Sequence, residues 1–473
     1  MIHIVGGGLG GSEAAWQAAE LGVDVTIHEM RPVRPTAVHQ TDGLAELVCS
    51  NSFRADKIDN AVGLIKEEMR RLGSIIMRSA DAARVPAGAA LAVDRHVFSQ
   101  TVTAAVQAHP RIRVSREEIT AVPGDEWSPV IIATGPLTSD ALSQSIQQMV
   151  GEEHLAFYDA ISPIVLAESI DMSKVFRASR WGRNVWSATP GESLEQSDEG
   201  DYLNCPMTKG EYDAFYAALV AAESATVHDF DNTKFFEGCL PIEVMAHRGE
   251  GTLRFGPMKP VGLKDPRTGR LPYAVVQLRQ DTLAADHFSL VGFQTQIKWG
   301  DQARVLRLIP GLEQAEFVRF GMVHRNTYVN GPTVLSETWQ VRSRPTLFFA
   351  GQMSGVEGYV ESAASGLIAG INAARLRQGR PTSTPPRTTA IGALAYYVSH
   401  ADPAHYEPSN ITFGIMEPLT RPPRGKQARK LALSEQALTD LERWMTRYLP
   451  DAPPATGDDS DRGEQRAIGA GRR

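Results

Sequence analysis

Cysteine is the side chain in this sequence best able to form and break covalent bonds, and three are present: Cys49, Cys205 and Cys239. Cys239 stands in "FFEGCLPIEVMAHRG", with Glu237, Glu243, His247 and Arg248 around it. Cys49 stands in "LAELVCSNSFRAD", followed by Asn51 and Arg54. Only the thiolate attacks, and an unperturbed thiol, with a pKa of about 8.5, is a few per cent ionised at neutral pH. Arg248 or His247 would lower that value if the fold brings either close to Cys239; an apolar setting would leave an inert thiol. The local sequence leaves both readings open for Cys49 and Cys239. Cys205, in "LNCPMTKG", is read as structural. Irregular spacing, with no C-x-x-C pair and no His/Cys cluster, argues against a disulfide framework, and no metal site is expected.

Glycine supplies the second kind of chemistry. In "GGGLGGSEAA", Gly6, Gly8 and Gly11 fit G-x-G-x-x-G between an apolar run, "MIHIV", and an alanine-rich helical pattern that ends at Gly22. "VDVTIHE" then reads as a second strand closing on Glu29. One glycine permits the tight turn, the next lets the backbone approach a pyrophosphate, and Gly11 lets helix pack on strand; the helix N-terminus offers unpaired N–H groups to phosphate. The expected cofactor contacts are therefore Gly6, Gly7, Gly8, Leu9, Gly10 and Gly11, with Glu29 accepting from a ribose hydroxyl. Downstream, "SPVIIATGP" (128–136) reads as a buried strand ending at Gly135. "TLFFAGQMSGVEGYVESAASGLIAGINAA" (346–374) reads as strand, glycine turn and long small-residue helix, with Gly351, Gln352 and Gly355 in the turn. That helix would aim its positive end at the pyrimidine side of a flavin. Phosphate loop, mid-chain "ATG" and late "AGQ" together resemble the FAD fold of the glutathione-reductase superfamily. No second complete G-x-G-x-x-G unit follows, so a pyridine nucleotide is expected to reach the flavin through an open cleft rather than from a domain of its own.

These elements define an α/β fold class: a discontinuous FAD-binding Rossmann-like domain with an inserted α+β domain. At 473 residues the chain exceeds one ordinary domain. The first part of the FAD domain is expected over 1–195 and the second over 321–380, flanking an insert over 196–320 that carries Cys239. In the insert, "DYLNCPMTKGEYDAFYAALVAAESA" reads as loop plus helix, and "TLRFGPM", "YAVVQLRQD" and "HFSLVGFQTQI" as strands. A helical segment is expected over 381–450 and a disordered tail over 451–473. Hydrophobic residues at 42% and charged residues at 22% are those of a soluble protein. The N-terminus lacks the pattern of a signal peptide and no apolar run is long enough to cross a bilayer, so a cytoplasmic protein without membrane contact is expected. The net charge of −7 argues against a uniformly basic surface. Cations still gather in "RFGPMKPVGLKDPRTGR" (254–270) and "RPPRGKQARK" (421–430).

Five segments, "GGGLGGSEAA", "ELVCSNSFR", "FEGCLPIE", "TLRFGPMKPVGL" and "AGQMSGVEGYVESAASG", resemble in order the TrmFO family of folate- and FAD-dependent tRNA (uracil-5-)-methyltransferases, a branch of the Gid family. The resemblance covers roughly residues 1 to 445. It implies FAD as cofactor, methylenetetrahydrofolate and NAD(P)H as co-substrates, and a T-loop uridine of tRNA as the base converted to 5-methyluridine. It further implies that Cys239 is the nucleophile that adds to uracil C6, and that Cys49 removes the C5 proton. The basic stretches then become candidate contacts to RNA phosphates. No obligate protein partner is implied. Rival readings are the longer Gid relative that modifies a wobble uridine with a partner GTPase and carries an extra C-terminal domain, a ribosomal RNA uridine methyltransferase, a small-molecule flavin oxidoreductase, and a non-enzymatic FAD-containing RNA-binding module.

Overall fold

The structure, a computed structural model, describes residues 1–36, 38–151, 155–182, 200–224 and 240–449. Strand β1 (Ile2–Val5) pairs in parallel with β2 (Val25–Glu29) on one side and β3 (Val130–Ile132) on the other. Their apolar runs suit strands covered on both faces, and Ile2, Ile4, Ile27 and Ile131 are fully buried. Strand β4 (Arg344–Phe349) adds in parallel beside β3, bringing residues from the far end of the chain into the same sheet. The six-stranded order is Gln340–Val341, β4, β3, β1, β2, Ile112–Arg116.

Two helices tie the two ends of this domain together. Helix α1 (Leu9–Glu20) follows β1, and α2 (Tyr359–Arg377) follows β4. They touch backbone to backbone: a Cβ on Gly366 would lie 2.1 Å from the Gly10 carbonyl oxygen, and one on Gly370 2.3 Å from that of Ala14. The small residues of α2 are therefore required by packing.

A second six-stranded sheet is antiparallel throughout, in the order Phe176–Arg177, Tyr202–Met207, Ala274–Gln280, His287–Leu290, Ile164–Leu166, Phe317–Arg319. Its own core gathers Leu203, Cys205 and Met207 with Tyr212 and Phe215 of helix Lys209–Val220. Because residues 164–177 belong to this sheet, the division expected at 195 falls inside the second unit rather than at its edge. Two local readings also change. "DYLNCPM" is a strand, its Leu203, Cys205 and Met207 turned into the core while the Asn204 amide bonds the carbonyls of Phe176, Ala178 and Tyr202. "TLRFGPM" opens as a helical turn, Thr252–Phe255, between Gly251 and Gly256; it buries Leu253 and leaves Phe255 87% exposed.

Helices Ala390–His400 and Lys426–Tyr448 pack on the core of the first sheet through Leu394, Leu441 and Trp444. The first is capped from a distance: the Glu68 carboxylate accepts the N–H groups of Ala390 at 2.7 Å and Ile391 at 2.9 Å. Complete burial pushes that carboxyl up to about 7 despite the amides. The expected tail at 451–473 lies outside the described residues. Among the described residues no helix is long and apolar enough to cross a membrane.

Candidate active site

A cleft opens at the carboxyl ends of β1, β3 and β4, where open α/β sheets bind ligands. The chain leaves β1 through Gly6, whose φ of +101° is open to glycine; a Cβ there would also lie 2.6 Å from the Ala133 carbonyl oxygen. Gly11 sits against Gly6, and a Cβ on it would approach the Gly6 carbonyl oxygen to 1.9 Å. Gly8 is different: a Cβ there would meet no protein atom within 4 Å, although the residue lines the cleft. Its side of the loop is thus bare backbone facing open space, as close approach of a pyrophosphate requires. Gly8 is also the N-cap of α1 and offers no side chain to the first-turn amides, which leaves them for an anion. These features fit the diphosphate of a dinucleotide cofactor.

Of the expected contacts, Gly6, Gly7, Gly8, Leu9, Gly10, Glu29, Gly135, Gly351 and Gln352 line the cleft. Gly11 and Gly355 stand off its lining. Gly11 makes the packing contact described above, and Gly355, with φ +87°, lies against the Tyr406 hydroxyl, which donates to its carbonyl at 2.9 Å. Glu29 has more than one task. Its carboxylate accepts the Gly7 N–H at 2.9 Å and the backbone and side-chain N–H groups of Arg31 at 3.0 and 2.9 Å. Burial works to raise its pKa, but the Arg31 hydrogen bond and charge and the two amides outweigh it and hold the group below the usual carboxylate range. An ionised Glu29 thus fixes the phosphate loop while lining the cleft.

Cys49 stands just off the cleft lining, in a loop docked on the phosphate loop. The Ala45 N–H donates to the Gly7 carbonyl at 2.9 Å, and Leu44 packs over Gly7. Val48, next to the cysteine, lines the cleft, as does Tyr359, the first residue of α2. The Tyr359 hydroxyl accepts the N–H groups of Cys49 at 2.8 Å and Ser50 at 3.1 Å. Burial drives the Tyr359 phenol strongly upward, so it is neutral at physiological pH. The Cys49 thiol is half-buried, its sulfur 3.7 Å from the Ala160 carbonyl oxygen. Arg54 is held in a left-handed conformation, φ +64°, and pairs with the buried Glu361 of α2.

Cys239 and Glu237 lie outside the described residues. The residues just after them form helix Ile242–His247, which ends beside Arg248. Within it Glu243 is buried, accepting from the Thr295 hydroxyl at 2.9 Å and the Gln296 amide at 2.8 Å, and burial pushes its carboxyl up to about 7. Cys205 is fully buried on its strand, and burial raises its thiol far above the ordinary range, as a structural cysteine requires. The basic stretch 254–270 is partly committed to the protein. The Arg254 guanidinium stacks 3.6 Å from the Tyr273 ring centre, and Arg267 pairs with Asp265. In 421–430, Arg421, Arg424, Lys426 and Arg429 are exposed at the start of the last helix.

Site residues that the sequence did not announce are Tyr359 and three arginines on the Cys49 loop, Arg95, Arg279 and Arg319. Tyr359 follows the glycine turn of "EGYVES", and an aromatic hydroxyl at the first turn of a cofactor-facing helix was the available signal. The arginines lie far apart in the chain and carry no local signature.

Sheet, phosphate loop and cleft define a dinucleotide-binding protein of the flavoprotein type. The sequence matches the glucose inhibited division protein A family over residues 1–381, and the chain belongs to that family. Within it, the chain is 57% identical over 451 residues to the methylenetetrahydrofolate–tRNA-(uracil-5-)-methyltransferase TrmFO of Symbiobacterium thermophilum, covering 95% of this chain and 98% of that protein. It is 55% identical to the TrmFO of Enterococcus faecalis over 437 residues, 92% and 97% of the two chains. These relatives place it in the TrmFO branch. The GidA structure from Aquifex aeolicus shares the fold at a TM-score of 0.65 and 17% identity, covering 94% of this chain and 76% of that one.

Proposed function

We propose that this protein methylates C5 of a T-loop uridine in tRNA, with methylenetetrahydrofolate as one-carbon donor, FAD as bound cofactor and NAD(P)H as reductant. The observation that carries the reading is a thiol loop docked on a dinucleotide cleft, Ala45 to Gly7 at 2.9 Å and Cys49 to Tyr359 at 2.8 Å. The printed names of the TrmFO relatives supply the substrate class. When bound, reduced FAD supplies the hydride equivalent that turns the transferred methylene into a methyl group. Gly6 to Gly10 would hold its diphosphate, Glu29 its ribose, and Gly351, Gln352 and the N-terminus of α2 the ring end.

Uracil C5 is a weak nucleophile. The Cys239 thiolate adds to C6 and makes the ring enolate-like, so that C5 attacks the donor carbon. Cys49 as thiolate then takes the C5 proton and becomes a thiol, the electron pair left at C5 expels tetrahydrofolate from the transferred methylene, and Cys239 leaves C6 as thiolate when that methylene is reduced to methyl. Tyr359 holds the Cys49 backbone through its hydroxyl. The target base has to leave its stack to reach these groups, and exposed cations at 421–430 would contact RNA phosphates. A cytoplasmic site of action accords with a tRNA substrate.

The test is nucleoside mass spectrometry of a T-loop tRNA transcript incubated with the protein, NADPH and methylenetetrahydrofolate, with Cys239→Ala in parallel. 5-Methyluridine from the wild type alone is expected. No product from a flavin-loaded, reducible wild type would overturn the reading.

A further inference from the structure

The loop from Leu47 to Asn51 is gripped at nearly every residue by arginine. Arg95, on helix Arg95–Ala108, donates to the Leu47 carbonyl at 3.4 Å. Arg319 donates to the Val48 carbonyl at 2.8 Å. Arg279 donates to the Ser50 hydroxyl at 2.7 Å and to the Asn51 side-chain oxygen at 2.8 Å. The one residue passed over is Cys49, held through its amide by Tyr359. Arg279 and Arg319 come from the second sheet, Arg95 from the nucleotide-binding domain, so the loop is clasped from both units.

Among the described residues the charges around this loop do not balance. Asp281 pairs with Arg95 at 2.8 Å, while among the described residues Arg279 and Arg319 form no ion pair. Among the described residues the other groups facing this loop add no compensating anion: Tyr359 is neutral, and Glu46 is taken up by Arg31 and by the amides of Gln40 and Thr41. Burial opposes the charge on Arg279 and on Arg319, and for both a negative Cys49 works in the relieving direction. Three guanidinium groups against one carboxylate, part-way out of water, make a positive setting in which an anion at position 49 is favoured.

We propose that Arg319 and Arg279, with Arg95, are positioning residues for Cys49: they fix its loop at the cleft and supply the field that holds its side chain as thiolate, ready to accept a proton. The inference rests on the proposed role of Cys49 and adds that the second unit sets it. Because Arg279 and Arg319 sit on strands of the second sheet, the charge that sets the base comes from outside the nucleotide-binding domain.

The experiment alkylates full-length, flavin-loaded protein with iodoacetamide from about pH 5 to about pH 10 and follows the Cys49 peptide by mass spectrometry; fully buried Cys205 serves as the unreactive control. The wild-type midpoint is expected at least one unit below the ordinary value of about 8.5. Arg319→Met is expected to raise it by about one unit and to slow alkylation at neutral pH by up to about tenfold, and Arg319→Lys to restore most of the shift. A wild-type midpoint at or above about 8.5, or an Arg319→Met profile that superposes on the wild type, overturns the proposal. If Arg319→Met fails to hold flavin, the wild-type midpoint decides alone. A lowered midpoint with no 5-methyluridine formed would sink the functional reading and leave the arginine assignment standing; product formed with an ordinary midpoint would do the reverse.

Discussion

Cys205 is fully enclosed between Leu203 and Met207, and burial, aided by the charge of Glu313, drives its thiol far above the ordinary range. Cys49 is half-buried beside a cleft that its neighbour Val48 lines, with its amide on a tyrosine hydroxyl and its neighbours bonded to three arginines. Both stand in short polar-looking stretches of sequence, "LNCPMT" and "LVCSNS". The chemistry of a cysteine is therefore set by what tertiary structure brings to it, and the two sites in one chain show the contrast: one thiol closed off from ionising by burial, the other half-buried on a loop bonded by three guanidinium groups.

The sharpest separation of protein from cofactor comes from Gly8→Val. Its Cβ lies in open space on the cleft side, with no protein atom within 4 Å, so the fold should persist while flavin absorbance and all methylation are lost. A fully yellow preparation would count against the phosphate-loop assignment. If the setting of Cys49 is built by protein groups, this apo variant should keep its alkylation profile. Next in size, Cys49→Ala should retain flavin and lower methylation about a hundredfold to ten-thousandfold, read by single-turnover nucleoside analysis. Wild-type rates from this variant would put Cys49 in the same inert class as Cys205. Tyr359→Phe removes the acceptor of two amides, a loss of about 1–3 kcal/mol in the fixing of the loop, and should slow methylation about tenfold with flavin retained. An unchanged rate would show that the arginines hold the loop without help. Smallest in activity is Cys205→Ser, which puts a hydroxyl in an apolar core. It should cost about 1–3 kcal/mol in denaturant unfolding and leave methylation untouched. Lost activity in a folded Cys205→Ser protein would break the comparison from its other side.

What the sequence made legible was what local pattern controls. β1, α1, β2 and the glycine loop follow from an apolar run, a helical period and a fixed glycine spacing, and the turn before α2 from its glycines. Asn204, Cys205 and Pro206 give Tyr202–Met207 the local pattern of a loop; inside the sheet, the Asn204 amide satisfies three neighbouring carbonyls. The alternation of Thr252–Phe255 is that of a strand, yet flanking glycines close it into a helical turn. At the site, Cys49 could be singled out, but Arg319 meets its loop across 271 positions and Arg279 across 229. No local pattern encodes a contact of that separation.

The backbone contact between α1 and α2 also has a consequence for synthesis. Gly10 and Ala14 lie against Gly366 and Gly370, and β4 completes the sheet beside β3, so the phosphate loop emerges first and its packing partner more than three hundred residues later. At elongation rates of about 5–20 residues per second the N-terminal strand and helix wait roughly 20–70 s for that partner. Through that interval the glycine face of α1, shaped to admit another backbone, is unpaired. The second unit, contained between the two halves, can fold before the domain that encloses it is finished.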